Sequence, residues 1–185
     1  MTLAGVLLGR REPKRARCDL VHGIVAARLT LELELAVRAA AIAFEPPRLA
    51  ADAGGFYALL GGLAEDIGAR AERRADGFGL SWITLSGGTL DDLALSIGVL
   101  AESLELAGRW EQVVCAVFVF GRRSEPTGRV YWIYNFARGT FYAFVPEDGD
   151  RRDSEEEVRL QAAVERDLRL EQDPQRRYPL WGIPV

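Results

Sequence analysis

The stretch from residue 113 to 145 restricts the fold more than any other part of the chain. Val113 to Phe120 is almost continuously apolar and residues 121–128 are polar and turn-forming. Val130-Tyr131-Trp132-Ile133-Tyr134-Asn135-Phe136 and Thr140-Phe141-Tyr142-Ala143-Phe144-Val145 then flank the short link Ala137-Arg138-Gly139. An unbroken apolar run of that length suits a strand buried on both faces. Large rings alternating on two short runs, with a glycine at the link able to take positive φ, suit a β-hairpin whose two faces are both covered. Together they predict an antiparallel three-strand meander with short connections. The chemistry of such a stretch is packing and recognition, not bond breaking.

Around the meander the sequence supplies helices. Thr89 with Asp92 three residues on forms a capping box, and Leu90, Leu93, Ile97, Leu100 and Leu104 make one apolar stripe that ends at a C-cap glycine, Gly108. A stripe of that width suits packing on a sheet, while its heptad-like spacing leaves a dimer seam as the alternative. Ser154 with Glu157 signals a second helix to about Leu170, with Glu155, Glu156 and Glu157 in its first turn and Arg166 and Arg169 in its last. Phe56, Leu59, Leu60, Leu63 and Ile67 define a third, running to about Arg70 and weakened by Gly61 and Gly62. Asp19 caps a short helix, after which Leu29, Leu31, Leu33 and Leu35 alternate as in a strand, so helix and strand compete there. Val37 to Phe44 reads as an early strand that stops before Pro46-Pro47, and Phe78 to Leu85 as another, closed by Ser86-Gly87-Gly88. Pro146 to Asp153 is a charged loop.

The resulting expectation is one α+β domain over residues 19–172, an antiparallel sheet whose C-terminal three-strand meander packs against helices. It is preceded by an apolar and basic tail, 1–18, and followed by a proline-rich tail, 173–185, packed on the domain. A chain of 185 residues with 49% hydrophobic and 27% charged residues suits one well-cored domain. The net charge of −4 disfavours a general nucleic-acid binder, which needs a basic face. No run approaches the ~20 apolar residues that span a bilayer. In the first tail the apolar residues Leu3, Val6, Leu7 and Leu8 precede the basic Arg10 and Arg11, the reverse of a secretory signal. That order points to the cytoplasm and leaves two readings, a peripheral contact with an anionic inner-membrane surface or a docked terminus with a solvated basic linker.

Catalytic raw material is scarce. His22 is the one histidine, so histidine-based metal sites and zinc fingers lose their ligands, and no Gly-x-Ser-x-Gly elbow presents a nucleophilic serine. Neither glycine-rich phosphate loop occurs after a strand. Cys18 and Cys115 stand apart without a Cys-x-x-Cys pair, and Cys115 within Val113-Val114-Cys115-Ala116-Val117 reads as a small core residue. Asp91-Asp92 opens a helix, and Glu147-Asp148-Gly149-Asp150 lacks the spacing of a calcium loop and reads as a solvated turn. These readings name no catalytic residue, no metal and no cofactor.

The segment from Ala137 to Pro146, then Arg151-Arg152-Asp153 and the closing Tyr178-Pro179-Leu180-Trp181-Gly182-Ile183-Pro184, with Leu7-Leu8-Gly9-Arg10 and Leu29-Thr30-Leu31-Glu32 near the start, resembles the PspA-associated family PspAB. The resemblance implies a small bacterial cytoplasmic protein of an envelope-stress system, linked to PspA or to the HtpX membrane protease, with no catalytic residues to carry over. The element order is also similar to type III secretion chaperones and YbjN-like proteins, which bind polypeptide, commonly as dimers. That analogy transfers function only weakly.

The expectation is therefore a non-enzymatic, chaperone-like adaptor with a polypeptide partner, with homodimerisation as a further expectation. Its candidate binding residues are Trp132, Tyr134, Arg138, Phe141 and Tyr142, since large amphipathic rings anchor interfaces. Because one face of the hairpin must pack on helices, only the rings of the other face are available. The alternative is a small-ligand sensor or enzyme whose pocket lies between sheet and helices and uses Arg138 with a nearby carboxylate.

Overall fold

The computed structural model describes residues 18–47, 54–59, 61–62, 70–77, 79–125 and 128–185. Strands β1 (Leu35–Phe44), β2 (Arg70–Ala75), β3 (Ser81–Ser86), β4 (Val113–Arg122), β5 (Arg129–Asn135) and β6 (Thr140–Phe144) form a six-stranded sheet in the order β2-β3-β1-β4-β5-β6. Every neighbouring pair is antiparallel. The helical elements are a 3₁₀ segment (Cys18–Val25), α1 (Arg28–Leu31), residues 54–59, α2 (Leu90–Leu106) and α3 (Ser154–Val164). A two-stranded ribbon, β7 (Pro146–Glu147) with β8 (Arg151–Arg152), sits where a plain charged loop is expected. The class is α+β, and β4-β5-β6 is the meander that the apolar run and the ring alternation predict.

Local chemistry accounts for the helix ends. The Thr89 hydroxyl accepts from the Asp92 amide at 3.2 Å and the Asp92 carboxylate accepts from the Thr89 amide at 2.8 Å. This reciprocal cap starts α2, and Gly108 follows its end at φ +69. All five stripe residues of α2 are buried in the core that the sheet lines, so the stripe packs within the chain. At α3 the cap moves one residue upstream. The Asp153 carboxylate accepts from the Glu156 amide at 2.9 Å, and Glu157 turns inward instead of closing a box with Ser154. The helix stops at Val164, well before Leu170, and residues 169–171 run extended along the outer edge of β6.

Two further expectations change. Leu29 to Leu35 is not a strand: Leu31 and Leu35 are buried while Leu29 and Leu33 are exposed, the four-residue offset of a helical turn leading into β1. The helix predicted from Phe56 to about Arg70 shows helical residues at 54–59, residues 63–69 lie outside the described set, and Arg70 already begins β2. β2, Arg-Ala-Glu-Arg-Arg-Ala, carries no apolar alternation. It is a strand because it lies along β3 at the sheet edge, where charged residues are common.

Both faces of the sheet are buried, by different means. On one face Ile42, Phe44, Phe118, Phe120, Trp132, Tyr134 and Phe141 pack under α2, α3 and the 3₁₀ segment. On the other, Ala41, Trp82, Val117, Ile133, Tyr142 and Phe144 pack with Leu180 and Ile183 of the C-terminal tail, and Tyr178, Trp181 and Val185 lie against them. The tail thus forms part of the second layer, and the three-layer arrangement explains why β4 is apolar on both sides.

Candidate functional site

The hairpin does not present the surface expected of it. Trp132 and Tyr134 are completely buried, and Phe141 and Tyr142 are exposed by only 1%. Register explains the correction. Tyr134 pairs with Phe141, and both join Trp132 on the helical face, while Tyr142 pairs with Ile133 on the tail face. The four rings therefore never share one surface, and both surfaces are roofed. Tyr134 meets Phe136 edge-on at 4.9 Å and Phe141 at 4.7 Å, a ring cluster typical of a core. The Tyr142 hydroxyl donates to the Tyr178 carbonyl at 3.0 Å, and burial pushes its phenol well above the ordinary value, so it remains a donor.

Arg138 lies half-buried in the link after β5, where the Asn135 side chain accepts from its amide at 3.1 Å and Gly139 takes φ +66. Its guanidinium is 3.9 Å from Glu171. Glu171 is buried, accepts from Thr140 at 3.2 Å and from the Asp173 amide at 3.1 Å, and so fastens the start of the C-terminal tail to β6. A second buried carboxylate, Glu157, acts at the other end of β6. It accepts from the Val145 amide at 2.9 Å and pairs with Arg152, whose guanidinium also donates to the Arg177 carbonyl at 2.9 Å and lies 5.5 Å from the centre of the Phe144 ring. The carboxylate that meets Arg138 thus fixes tail to sheet. The expected convergence of Arg138 and a carboxylate occurs at this outer link, not in a pocket between sheet and helices.

A different surface collects charged and apolar groups. A groove of ≈ 350 Å³ is lined by Leu33, Glu34 and Leu35 entering β1, Arg122, Arg123 and Ser124 leaving β4, and Glu156 of α3. These segments meet because β1 and β4 pair from Leu35↔Arg122 onward. Four side chains alternate in sign there: Glu34 pairs with Arg159 at 2.6 Å, Arg159 with Glu156 at 2.6 Å, and Glu156 with Arg122 at 2.8 Å. The hydrogen bond from Arg159 is the main reason that the carboxyls of both Glu156 and Glu34 sit below the ordinary carboxylate value. Arg159 is correspondingly raised by its bonds to Glu156 and Glu34. Charges so compensated recognise other charges and backbone groups; they are not poised to transfer a proton at neutral pH. Leu33, 78% exposed, forms the lip of this groove, with Leu29, 76% exposed, four residues earlier on α1. The alternating leucines of residues 29–35 carried the signal for this surface, but it is legible only once their period is known to be helical.

Other sequence candidates take structural places. Cys18 and Cys115 are buried free thiols, both pushed up to about 12, chiefly by burial. Asp91 pairs with Arg28 at 2.8 Å and ties α1 to the start of α2. Glu147 to Asp150 form the exposed tip of the β7–β8 ribbon. Among the described residues no group of three or more His, Cys, Asp or Glu side chains is placed to hold a metal ion, and no helix is long and apolar enough to cross a membrane. The membrane-surface candidates Leu3, Val6, Leu7, Leu8, Arg10 and Arg11 lie outside the described residues.

Compared with known proteins, the whole chain, residues 1–185, matches the profile of a family described as PspA associated protein B. No curated protein and no solved structure matches it.

Proposed function

Because the chain belongs to the PspA associated protein B family, we propose that it is a non-enzymatic, chaperone-like adaptor that binds a PspA-linked polypeptide on the surface around Leu29, Leu33 and the Glu34–Arg159–Glu156–Arg122 array. In this reading it works in the cytoplasm, beside the inner membrane where envelope stress is sensed. The observation that carries the reading is how the apolar side chains are distributed. The rings of the hairpin are consumed by the core, whereas Leu29 and Leu33 are left in solvent beside a row of charges held in fixed positions. Exposed apolar residues rimmed by ordered polar groups are the usual make-up of a protein interface. The fixed charges set register and exclude wrong partners, while the leucines supply the burial.

The test is titration calorimetry of the full chain against purified PspA. Leu29→Asp combined with Leu33→Asp is expected to weaken binding at least tenfold. Leu106→Asp, at the far end of α2 and 84% exposed, is expected to leave it unchanged. An equal effect of both changes, or no effect of the first, overturns this surface.

A further inference from the structure

The two edges of the sheet are finished differently. The outer edge of β6 is closed by the chain itself: the Phe141 amide donates to the Arg169 carbonyl and the Glu171 amide to the Phe141 carbonyl, both at 2.8 Å. At the opposite edge β2 pairs with β3, and among the described residues no strand pairs with its far side. Unpaired strand edges recruit other strands unless something prevents it. Edges are commonly blunted by proline, a bulge or charged side chains, and of these β2 has only the charges. Those charges follow a pattern of their own.

Reading Arg70-Ala71-Glu72-Arg73-Arg74-Ala75, the charges are complementary about Arg73. We propose that β2 pairs antiparallel with β2 of a second copy of this chain, about a two-fold axis through Arg73, joining the two sheets edge to edge. In that register Glu72 stands opposite Arg74 of the second copy, Arg74 opposite its Glu72, and Ala71 opposite its Ala75. Cross-strand neighbours of opposite charge stabilise antiparallel pairs and like charges destabilise them. Glu72 and Arg74 already share one side of β2, 2.6 Å apart and largely exposed, so two copies would close a four-membered ring of alternating charge. Arg73 points to the other side, where its guanidinium lies 4.6 Å from the centre of the Tyr57 ring of its own chain. That contact draws the two Arg73 side chains away from the axis on which they would otherwise repel.

The neighbouring registers match the remaining charges less well. An axis through Glu72 sets Arg70 against Arg74 beside the Glu72 self-pair, and an axis through Arg74 sets Glu72 against Asp76 beside the Arg74 self-pair. Side chains directly opposite across an antiparallel pair share a face, so an axis must pass through a residue. Axes through Ala71 or Ala75 also oppose unlike charges, Arg70 to Glu72 or Arg74 to Asp76, but they overlap only one end of the strand, whereas the Arg73 axis pairs residues 71–75 and matches Glu72 with Arg74 twice. This interface is separate from the groove at Leu33 and leaves that groove free on both copies.

The experiment uses the full chain. Sedimentation velocity over a range of concentrations is expected to show a reversible dimer. Glu72→Arg and Arg74→Glu are each expected to raise its dissociation constant about tenfold, and the double exchange, Glu72→Arg with Arg74→Glu, to restore it to within about twofold of the parent. Arg73→Cys places one thiol from each copy across the axis, at the short separation of opposed residues in an antiparallel pair, which a disulfide spans. It is expected to crosslink on mild oxidation, and Glu72→Cys is not, while the buried Cys18 and Cys115 stay out of the reaction. Circular dichroism verifies that each variant is folded. A chain that is monomeric at every concentration overturns the proposal. So does a dimer indifferent to both charge reversals, or one that crosslinks through Glu72→Cys as readily as through Arg73→Cys.

Discussion

The helical face and the tail face of the sheet bury comparable rings but hold their covering layers by different physics. α2 satisfies its own backbone hydrogen bonds, so its contribution to the helical face is almost purely apolar, through Leu93, Ile97, Leu100 and Leu104. The tail over the other face contains no long helix or strand, and its carbonyls must find donors elsewhere. Side chains supply them. Arg152 donates to Arg177, Tyr142 to Tyr178, and Arg129 to Val185 at 3.2 Å, while Arg177 donates back to the Glu171 carbonyl at 3.0 Å. Trp181 then stacks edge-on against Phe144 at 4.8 Å. The contrast shows how an irregular segment can complete a core: its polar backbone is anchored at a few points, and the side chains between the anchors do the burying.

Removing the tail from residue 178 onward is the severest test of that view. Leu180 and Ile183 alone represent about 1.5–3 kcal/mol each of burial, and the exposed face adds Ile133, Tyr142 and Phe144. The sum approaches the whole stability of an ordinary domain, about 5–15 kcal/mol. The truncated chain is expected to show no cooperative thermal transition and to aggregate. Melting within a few degrees of the parent would mean the tail is an accessory and not a layer. A finer comparison sets Ile97→Ala against Leu180→Ala by urea unfolding. α2 cannot shift to fill a hole without breaking its own packing, whereas an extended segment can settle inward, so the expected costs are about 3–4 kcal/mol for Ile97 and about 2 kcal/mol for Leu180. Equal or reversed costs would show that the two layers are equally rigid.

The same contrast decides what could be read from the sequence. Periodic elements were legible: β4 from its apolar run, the hairpin from its alternating rings, and α2 from its stripe and its Thr89–Asp92 box. The tryptophan and apolar residues of the tail are enough to set it against the body, but which face it roofs depends on anchors such as Tyr142 to Tyr178, 36 residues apart in the chain. Until that roof is placed, the rings of the second face, Tyr142 among them, remain candidates for binding as well as for the core. β2 was missed because an edge strand held by its neighbour needs no apolar pattern of its own. The groove at Leu33 was missed because it joins residues 34, 122, 156 and 159, which only the β1–β4 register and the docking of α3 bring together.

Smaller changes address the anchors one at a time. Tyr142→Phe keeps the ring and removes the donor to Tyr178, leaving that carbonyl unpaired at a cost of about 1 kcal/mol. If the anchors act locally, limited proteolysis should cut residues 178–185 several times faster in this variant with little change in the global melting temperature. Unchanged cleavage would shift the burden of anchoring to Arg152 and Trp181.

The smallest expected effect lies outside the helical face, where the Glu34–Arg159–Glu156 array joins α3 to the entry of β1 by charge. Both carboxyls have folded-state values below their ordinary 4.5, with Arg159 as the main cause. A lowered folded value means that the unfolded chain takes up protons first as the pH falls. The stabilisation is therefore fully present above the ordinary carboxylate value and is lost as the pH drops through the folded values. Arg159→Gln removes the cause of the shift, so the variant should lose less stability than the parent between pH 5 and pH 3 in parallel urea titrations. Because the array is solvent-screened, the difference should be small and should shrink further in high salt. Identical acid slopes for the two chains would show that the array orders the groove without stabilising the fold, leaving α3 held by its apolar contacts and by Glu157.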